Sequence, residues 1–570
     1  AQRTRSTIAE RVAVMAALFS IKYMEHYKEY GAGRYYPYFL LFIAGMYGIV
    51  TTTDLMLYFC LFWQLMTLTS YALIRYENKV QSNVAAANKY LFFMELSVLL
   101  VMAGAYMLGD TGSKITLGVE TIGKFDFEAI AHNLGWMLQN QGGGIVLGAL
   151  LLMLVGFGIK AGMWPFGQWW LPDAHPAAPA PVSALLSGVM IKTGIYGILR
   201  TFLWMIPKDT VDSFPAAQWG MLVAVLGTIT LFVGTMQALK QEQTKRLLAF
   251  HSIGQIGYIL LGIGSAIALY APGESNLIVQ TLASFGLLGA LFHTVNHACF
   301  KGLLFLNAGS VMYATDTQDM NKLGGLIKLM PATALLTLIA SFSIAGVPLF
   351  NGFASKWTIY ASTILGSADA KYLAVCGLFA ILTSALTLAS FMKFFGVTFL
   401  SRRSDLVNAK VEEKGQLEGD WTMLVPQSLL GALCVLLGIA PAAAYGLFLA
   451  VMNASRQGLA ERLITLNSLP TGDTLLGVGL TQMAAFTPLV LAGVVLVLML
   501  LVYGISRVGG AVRRITTPWL CGYVTHADEY RYNAHNLYGE FKKYFTWVGA
   551  APKHQAHGPA DKSDEKPESK

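Results

Sequence analysis

The stretch LFHTVNHACFKGLLFL, residues 291–306, sets His293, His297 and Lys301 four residues apart in an otherwise apolar run. On an α-helix each four-residue step rises about 6 Å and overshoots a full circle by only about 40°, so the three side chains form one polar line roughly two turns long. In a water-soluble protein such a line would be a solvated face. Its meaning depends on what surrounds the helix.

The surroundings are apolar. Of 570 residues, 55% are hydrophobic and 13% charged, with a mean hydropathy of +0.53, whereas a soluble domain carries about 25% charged residues. Runs of about 20 mostly apolar residues, enough to cross the hydrocarbon core, recur from end to end. Candidate spans fall at 11–26, 36–52, 54–74, 88–108, 144–165, 182–205, 217–239, 248–270, 278–313, 331–360, 371–400, 424–450 and 484–506. The composition therefore predicts an all-α, polytopic membrane protein with about 13 spans.

Several classes of chemistry are disfavoured. Cys60, Cys299, Cys376, Cys434 and Cys521 stand singly, without the spacing that holds zinc or an iron–sulfur cluster, so the chain itself is expected to carry no metal. No phosphate-binding loop appears, and GGG at 142–144 leads into a span. The net charge of +8 is spread over loops, which argues against nucleic acid and for a topology signal. With alternating spans, Lys28 and Arg34, Arg75 and Lys79, Lys240, Lys245 and Arg246, Lys322 and Lys328, Arg402, Arg403, Lys410 and Lys414, and Arg507, Arg513 and Arg514 share one side, expected to be cytoplasmic. Arg3, Arg5 and Arg11 run against this pattern. With no initial methionine or signal-like leader, the chain is expected to begin part-way into a longer protein.

Near the C-terminus, DEYRYNAHNLYGEFKKYF (528–545) spaces Tyr530, Ala534, Leu537, Phe541 and Phe545 at helical intervals. This predicts a helix lying on the membrane surface or against a partner. From about residue 550 the Pro, Lys, Glu and Ser bias predicts disorder.

An ionisable group inside a span costs several kcal/mol unless it faces a bundle interior or a hydrated cavity. Besides the opening stripe, the spans hold Glu95 in FFMELSVLL, Lys160 in GFGIKAGMWPF, Lys192 in GVMIKTGIYG, Lys356 in NGFASKW and Lys393 in SFMKFFGV. Lys356 and Lys393 lie nearer span ends and have snorkelling as the plainer reading. Lys192, deep in its span, does not. Together they read best as a chain of proton-accepting sites, since burial and neighbouring charge tune an amine's proton affinity over the range a relay needs. Helix breaks coincide with them. AGMWPFGQWWLPDAHPAAPAPV (161–182) carries five prolines after Lys160, and SIAGVPLFNGFASKW (343–357) places Gly346, Pro348 and Gly352 before Lys356. Irregular backbone at membrane depth is tolerated where it is buried in protein or lines a cavity, and matched breaks in two halves of a chain mark transport sites. A rigid proline-rich loop is the plainer reading of the first.

GFGIKAGMWPFGQWWLPDAHPAAPAPVSALLSGVMIKTGIYGILR (156–200), QALKQEQTKRLLAFHSIGQIGYILLGIG (237–264), HTVNHACFKGLLFLNAGS (293–310) and AGVPLFNGFASKW (345–357) closely resemble the antiporter-like, proton-translocating subunits of respiratory complex I. The similarity runs from about residue 35 to 400. It implies a core of two inverted five-helix repeats, each with one broken helix, joined by a hydrophilic axis across the membrane middle. The first two family helices would precede residue 1. The implied organisation is N-terminal spans (1–52), a first antiporter half (53–205) broken near 160–181, a second half (206–400) broken near 346–356, C-terminal spans (401–510), an interfacial tail helix (511–547) and a disordered tail (548–570).

By the same resemblance Lys160 matches the lysine of the first broken helix, Lys192 the central lysine of the next, and His293, His297 and Lys301 the stripe between half-channels. Lys356 matches the terminal residue of the second broken helix. One position departs. Where the family has a glutamate, this chain reads FCLFWQLMTLTSY with Gln64, which hydrogen-bonds but cannot ionise. Glu95 on the next span is expected to approach Gln64 or Lys160 and supply the missing charge. FMKFFGVTFLSRRS (391–404) and TPWLCGY (517–523) resemble most the large membrane subunit of formate-hydrogenlyase and hydrogenase-4 type complexes.

The expected function is proton translocation through Glu95, Lys160, Lys192, His293, His297, Lys301, Lys356 and Lys393 as a non-redox subunit of a redox complex in the inner (cytoplasmic) membrane. Iron–sulfur clusters, a nickel–iron centre or quinone would sit only in partner subunits, which comprise other membrane subunits and a peripheral redox arm. The alternatives are a sodium/proton antiporter subunit, the membrane partner of a bicarbonate-uptake complex, or a scaffold with a vestigial axis.

Overall fold

A computed structural model describes residues 2–109, 125–140, 143–207, 209–270, 277–454, 484–510 and 531–545, with short pieces at 116–117, 120–121 and 478–480 and the single residue 512. Two small antiparallel hairpins, β1 (Thr116–Leu117) with β2 (Glu120–Thr121) and β3 (Val478–Leu480) with β4 (Ala484–Phe486), are its only sheets among the described residues. The rest is helix and connection.

Helices α1 (Gln2–Tyr23), α2 (Ala32–Thr51), α3 (Leu57–Ile74), α4 (Gln81–Gly109) and α5 (Phe127–Gln139) precede the first interrupted element, α6 (Gly143–Ala161) and α7 (Gly167–Ala177). Next, α8 (Ala180–Leu185) continues through a π turn into α9 (Ile191–Leu199). The centre is α10 (Ala216–Lys240), α11 (Thr244–Ala268) and α12 (Leu277–Thr315). The second interrupted element is α13 (Pro331–Ala345) and α14 (Asn351–Leu365), followed by α15 (Tyr372–Phe395) and the surface helix α16 (Asp405–Lys414). Last come α17 (Trp421–Ile439), α18 (Pro441–Ala454), α19 (Pro488–Val508) and α20 (Gly539–Tyr544).

Among the described residues, 9 helical segments are long and apolar enough to cross a membrane, and shorter apolar helices at Phe59–Ile74, Pro331–Ala345 and Pro441–Met452 accompany them. The chain is a polytopic, all-helical membrane protein. Two expected spans are each two helices: 331–360 divides at the break after Ala345, and 424–450 divides at Ala440, where Pro441 opens a new helix. The stripe helix α12 is one element of 39 residues, roughly 58 Å long and so longer than the hydrocarbon core.

A glycine seam closes α10 on α11. A Cβ at Gly220, Gly227 or Gly234 would stand no more than 2.6 Å from the backbone nitrogens of Ala268, Leu261 and Gly254 respectively, themselves seven apart on the antiparallel partner. The repeat keeps the facing stripe of α10 free of side chains, so its backbone meets that of α11 directly.

At the second break Gly346 takes φ +80° and its amide caps α13 by donating to Phe342 and Ser343. A Cβ here would also crowd Lys356, whose Cδ lies 3.1 Å from that point. The first break turns on Gly162 at φ +84°, and Trp170 Nε1 donates to the Ile159 carbonyl at 3.2 Å. Glu418 caps the other end of α13, accepting from Ala332 N at 2.8 Å and Thr333 Oγ1 at 2.5 Å.

Several of the basic connections lie against one another on one face. Tyr76 OH donates to Gly31 O, Thr244 N to Gln318 O, Met320 N to Glu242 O and Lys414 Nζ to Ala314 O. Lys240 and Lys245, however, are not free loop charges. Each is 1% exposed, and Lys245 Nζ donates to Ala178 O at 2.8 Å between α7 and α8.

On this face Asp316, at φ +58°, receives Lys410 at 2.7 Å, Lys414 at 3.5 Å and His26 at 3.6 Å. Burial alone would raise its pKa, but the Lys410 hydrogen bond and the charges of Lys414, Lys410 and His26 outweigh it and hold the carboxyl below its ordinary value. A depressed folded-state pKa stabilises above the unfolded value near 4 and ceases to stabilise as pH falls through the folded one. The protection of α16 amides, their exchange measured relative to the intrinsic rate at each pH, is therefore expected to fall on acidification below about pH 4. Asp316→Asn, which tolerates the left-handed backbone, should show low α16 protection already at neutral pH and lose that acid dependence.

The predicted tail helix is shorter than expected. Among its described residues only Gly539–Tyr544 is helical; residues 534–538 form turns, 531–533 are irregular, and 511, 513–530 and 546–547 lie outside the described residues. The segment lies against its own chain: Arg531 donates to the carbonyls of Asn321 and Leu323, and Ser401 Oγ donates to Tyr532 O at 2.9 Å. Polar anchors at this density replace the regular apolar stripe read from the sequence. The assigned disordered tail, 548–570, also lies outside the described residues.

Candidate functional site

The opening stripe lies on α12 with His293, His297 and Lys301 each 0% exposed. The imidazoles of His293 and His297 are 6.4 Å apart and nearly parallel at 16°. His293 is held on both sides, Nδ1 2.9 Å from Ser355 Oγ on α14 and Nε2 3.1 Å from Gln255 Oε1 on α11. His297 contrasts with it. Neither ring nitrogen has a hydrogen-bond partner among the described residues. An imidazole between His293 and Lys301 whose two nitrogens are not committed to protein groups can accept a proton on one and release it from the other.

The buried amines share one solution. Lys301 Nζ donates to Leu248 O at 2.5 Å, and Lys356 Nζ to Ile344 O at 2.9 Å and Ser384 Oγ at 3.1 Å while lying 4.4 Å from the Tyr258 ring centre. Lys393 Nζ donates to Leu239 O and Gln241 O at 2.6 and 2.7 Å. Lys192, partly buried, donates to Ser187 O in the π turn. Among the described residues no carboxylate lies within ion-pair distance of these amines. Ile344 and Leu239 belong to the last turns of α13 and α10, so carbonyl dipoles at helix C-termini face Lys356 and Lys393. An amine keeps donors in both protonation states, so this geometry survives loss of a proton.

Lys160, 0% exposed, differs. It lies 4.7 Å from the Trp63 ring centre and 3.2 Å from Met94 Sδ. Trp63 and Met94 immediately precede Gln64 and Glu95 in the chain, and these two meet each other, Gln64 Nε2 donating to Glu95 Oε2 at 2.7 Å. Glu95 thus reaches Gln64 and makes no ion pair with Lys160. Across this hydrogen bond the amide stands on α3 and the acid on α4.

Sequence reasoning missed His251 and His175. His251, 0% exposed, places Nε2 2.8 Å from Ser390 Oγ. The signal was available, for His251, Gln255 and Tyr258 at i, i+4 and i+7 form a second polar line on α11 facing the first. His175, 1% exposed, stacks on Phe305 with ring centres 4.7 Å apart, and neither nitrogen has a partner among the described residues. Its proline-rich neighbourhood was legible only as a break.

A helical membrane bundle with amines and imidazoles threaded through its middle defines an intramembrane ion-transport class. The chain belongs to the NADH:quinone oxidoreductase/Mrp antiporter transmembrane family, whose sequence pattern matches residues 52–387. It is 34% identical over 433 residues to hydrogenase-4 component B of Escherichia coli (strain K12), covering 75% of this chain and 60% of that protein. It is also 34% identical over 448 residues to a Na(+)/H(+) antiporter subunit of Bacillus subtilis (strain 168), covering 77% and 52%. The chain thus spans about half to three fifths of the length of these relatives. The fold is similar to a chain of the membrane-bound sulfane sulfur reductase, an archaeal respiratory membrane complex, with a TM-score of 0.74 at 24% identity over 96% of this chain and 80% of that one. A chain of the Mrp complex from Dietzia sp. DQ12-45-1b gives 0.61 at 23% identity over 77% and 80%.

Proposed function

We propose that this chain is a proton-translocating, antiporter-like membrane subunit of a multisubunit redox complex in the inner (cytoplasmic) membrane. Protons move along Lys160, Lys192, Lys301, His297, His293, Lys356 and Lys393, with Glu95 at the outer edge through Gln64. The redox centres, whether iron–sulfur clusters, a nickel–iron site or quinone, belong to partner subunits and a peripheral arm. The observation that carries this reading is the unpartnered, fully buried His297 between His293 and Lys301.

The sodium/proton reading is favoured by relatives named as antiporter subunits. The buried row weighs against it, because sodium binding calls for oxygen ligands while these side chains are amines and imidazoles with one carboxylate, Glu95. The test is purification through a tag on this chain, then reconstitution. Co-isolation with metal-cluster subunits and vesicle acidification independent of sodium are expected. Isolation with antiporter subunits alone and a strict sodium requirement would reject the redox reading.

A further inference from the structure

The end of α10 with the turn that joins it to α11, residues 241–243, faces two ways. On its inner side the Leu239 and Gln241 carbonyls hold Lys393, which is 1% exposed. On its outer side the Glu242 carboxylate accepts from Lys542 at 2.8 Å and Asn321 Nδ2 at 3.0 Å and lies 3.1 Å from His535 Nδ1. Lys240 Nζ donates to Phe545 O at 2.5 Å. Tyr538 OH donates to the Ala389 carbonyl at 3.0 Å, about one helical turn before Lys393 on α15. The 531–545 strap and Lys393 are thus fastened to the same few residues from opposite sides.

Polar groups continue inward from Lys393. Three residues earlier on α15, Ser390 is 0% exposed and meets His251 Nε2, while His251 Nδ1 has no partner among the described residues. Three residues back along α11, the Leu248 carbonyl grips Lys301. A hydroxyl and an imidazole can each accept a proton on one side and release one on the other.

We infer that Lys301, His251, Ser390 and Lys393 form a side branch of the buried row leading to the basic-loop face, and that the strap fastened on Glu242 closes its outer end. That the cargo is a proton rests on the proposed function; the closure does not. Glu242 is the hinge of the arrangement, because its carboxylate faces Lys542, His535 and Asn321 together and neighbours the carbonyl that seats Lys393.

The test uses the whole complex in vesicles with Ser390→Cys, labelled by a charged, membrane-impermeant maleimide and quantified at that residue by mass spectrometry, so the native thiols do not interfere. Labelling is expected to be slow in this parent and about ten-fold faster with Glu242→Gln or with a chain ending at Tyr530, the shift that losing a charged anchor gives to a closed–open equilibrium. Without the cysteine, Glu242→Gln vesicles should lose an imposed pH gradient faster, and Lys393→Met should reverse this. Fast labelling in the parent, or an unchanged rate in both strap variants, would overturn the closure; a gradient loss that Lys393→Met leaves unaltered would overturn the branch. Failure of redox-driven pumping would sink the proposed function and leave the labelling result standing.

Discussion

Lys301→Met is expected to cut redox-driven proton translocation about a hundred-fold, the scale of losing a positioned acid–base group, while partner electron transfer and complex assembly persist. Methionine matches the lysine stem in length and lacks the ammonium. An apolar side chain of similar volume avoids the desolvation cost of an amine that has no carboxylate partner, and assembly of the complex, measured alongside, separates the loss from unfolding. Only the Leu248 carbonyl would lose an acceptor role, and it remains within the α11 ladder. His297→Ala should act in the same direction and Cys299→Ala, off the stripe, should do little. Pumping at the parental rate in vesicles of Lys301→Met would make the stripe a packing feature.

The second large effect is a rescue. Glu95→Gln removes the carboxylate that Gln64 binds and should lower pumping by at least about ten-fold, because a positioned acid–base group contributes about a hundred-fold or more. Gln64→Glu alone sets two carboxylates at the 2.7 Å contact now made by amide and acid, where like charges cannot both ionise. The exchange Gln64→Glu with Glu95→Gln restores one acid and one amide across the same contact, with the acid now on α3. Pumping should recover toward the parental rate. If the exchanged protein pumps no better than Glu95→Gln, the position of the acid and not merely its presence is decisive.

What was legible in the sequence was whatever depends on spacing along one helix. The four-residue steps of the stripe predicted a single line, and His293 and His297 stack at 6.4 Å. Gly346 and Pro348 announced the break that seats Lys356. Contacts between elements were legible only where side chains of opposite chemistry call for each other, as Gln64 and Glu95 do. Lys301, Lys356 and Lys393 find main-chain carbonyls instead. Every residue has a carbonyl, so nothing in a sequence marks which ones serve. Lys245 shows the same limit from the other side: among Lys240, Lys245 and Arg246 it reads as a loop charge, yet the fold buries it against Ala178 O. In the tail, residues 531–538 are not helical because polar anchors decide the backbone there, where a helical spacing of apolar residues was read.

The glycine seam between α10 and α11 has a mechanical corollary. Interfaces built from side chains yield by changing rotamers, whereas backbone pressed on backbone has no such cushion, so the two helices act as one stiff plate. The plate carries the carbonyls that receive Lys301 on α11 and Lys393 at the end of α10, which makes it a ruler of constant length. Any work done on this protein by a partner must register as amines on α12 and α15 sliding along those fixed marks.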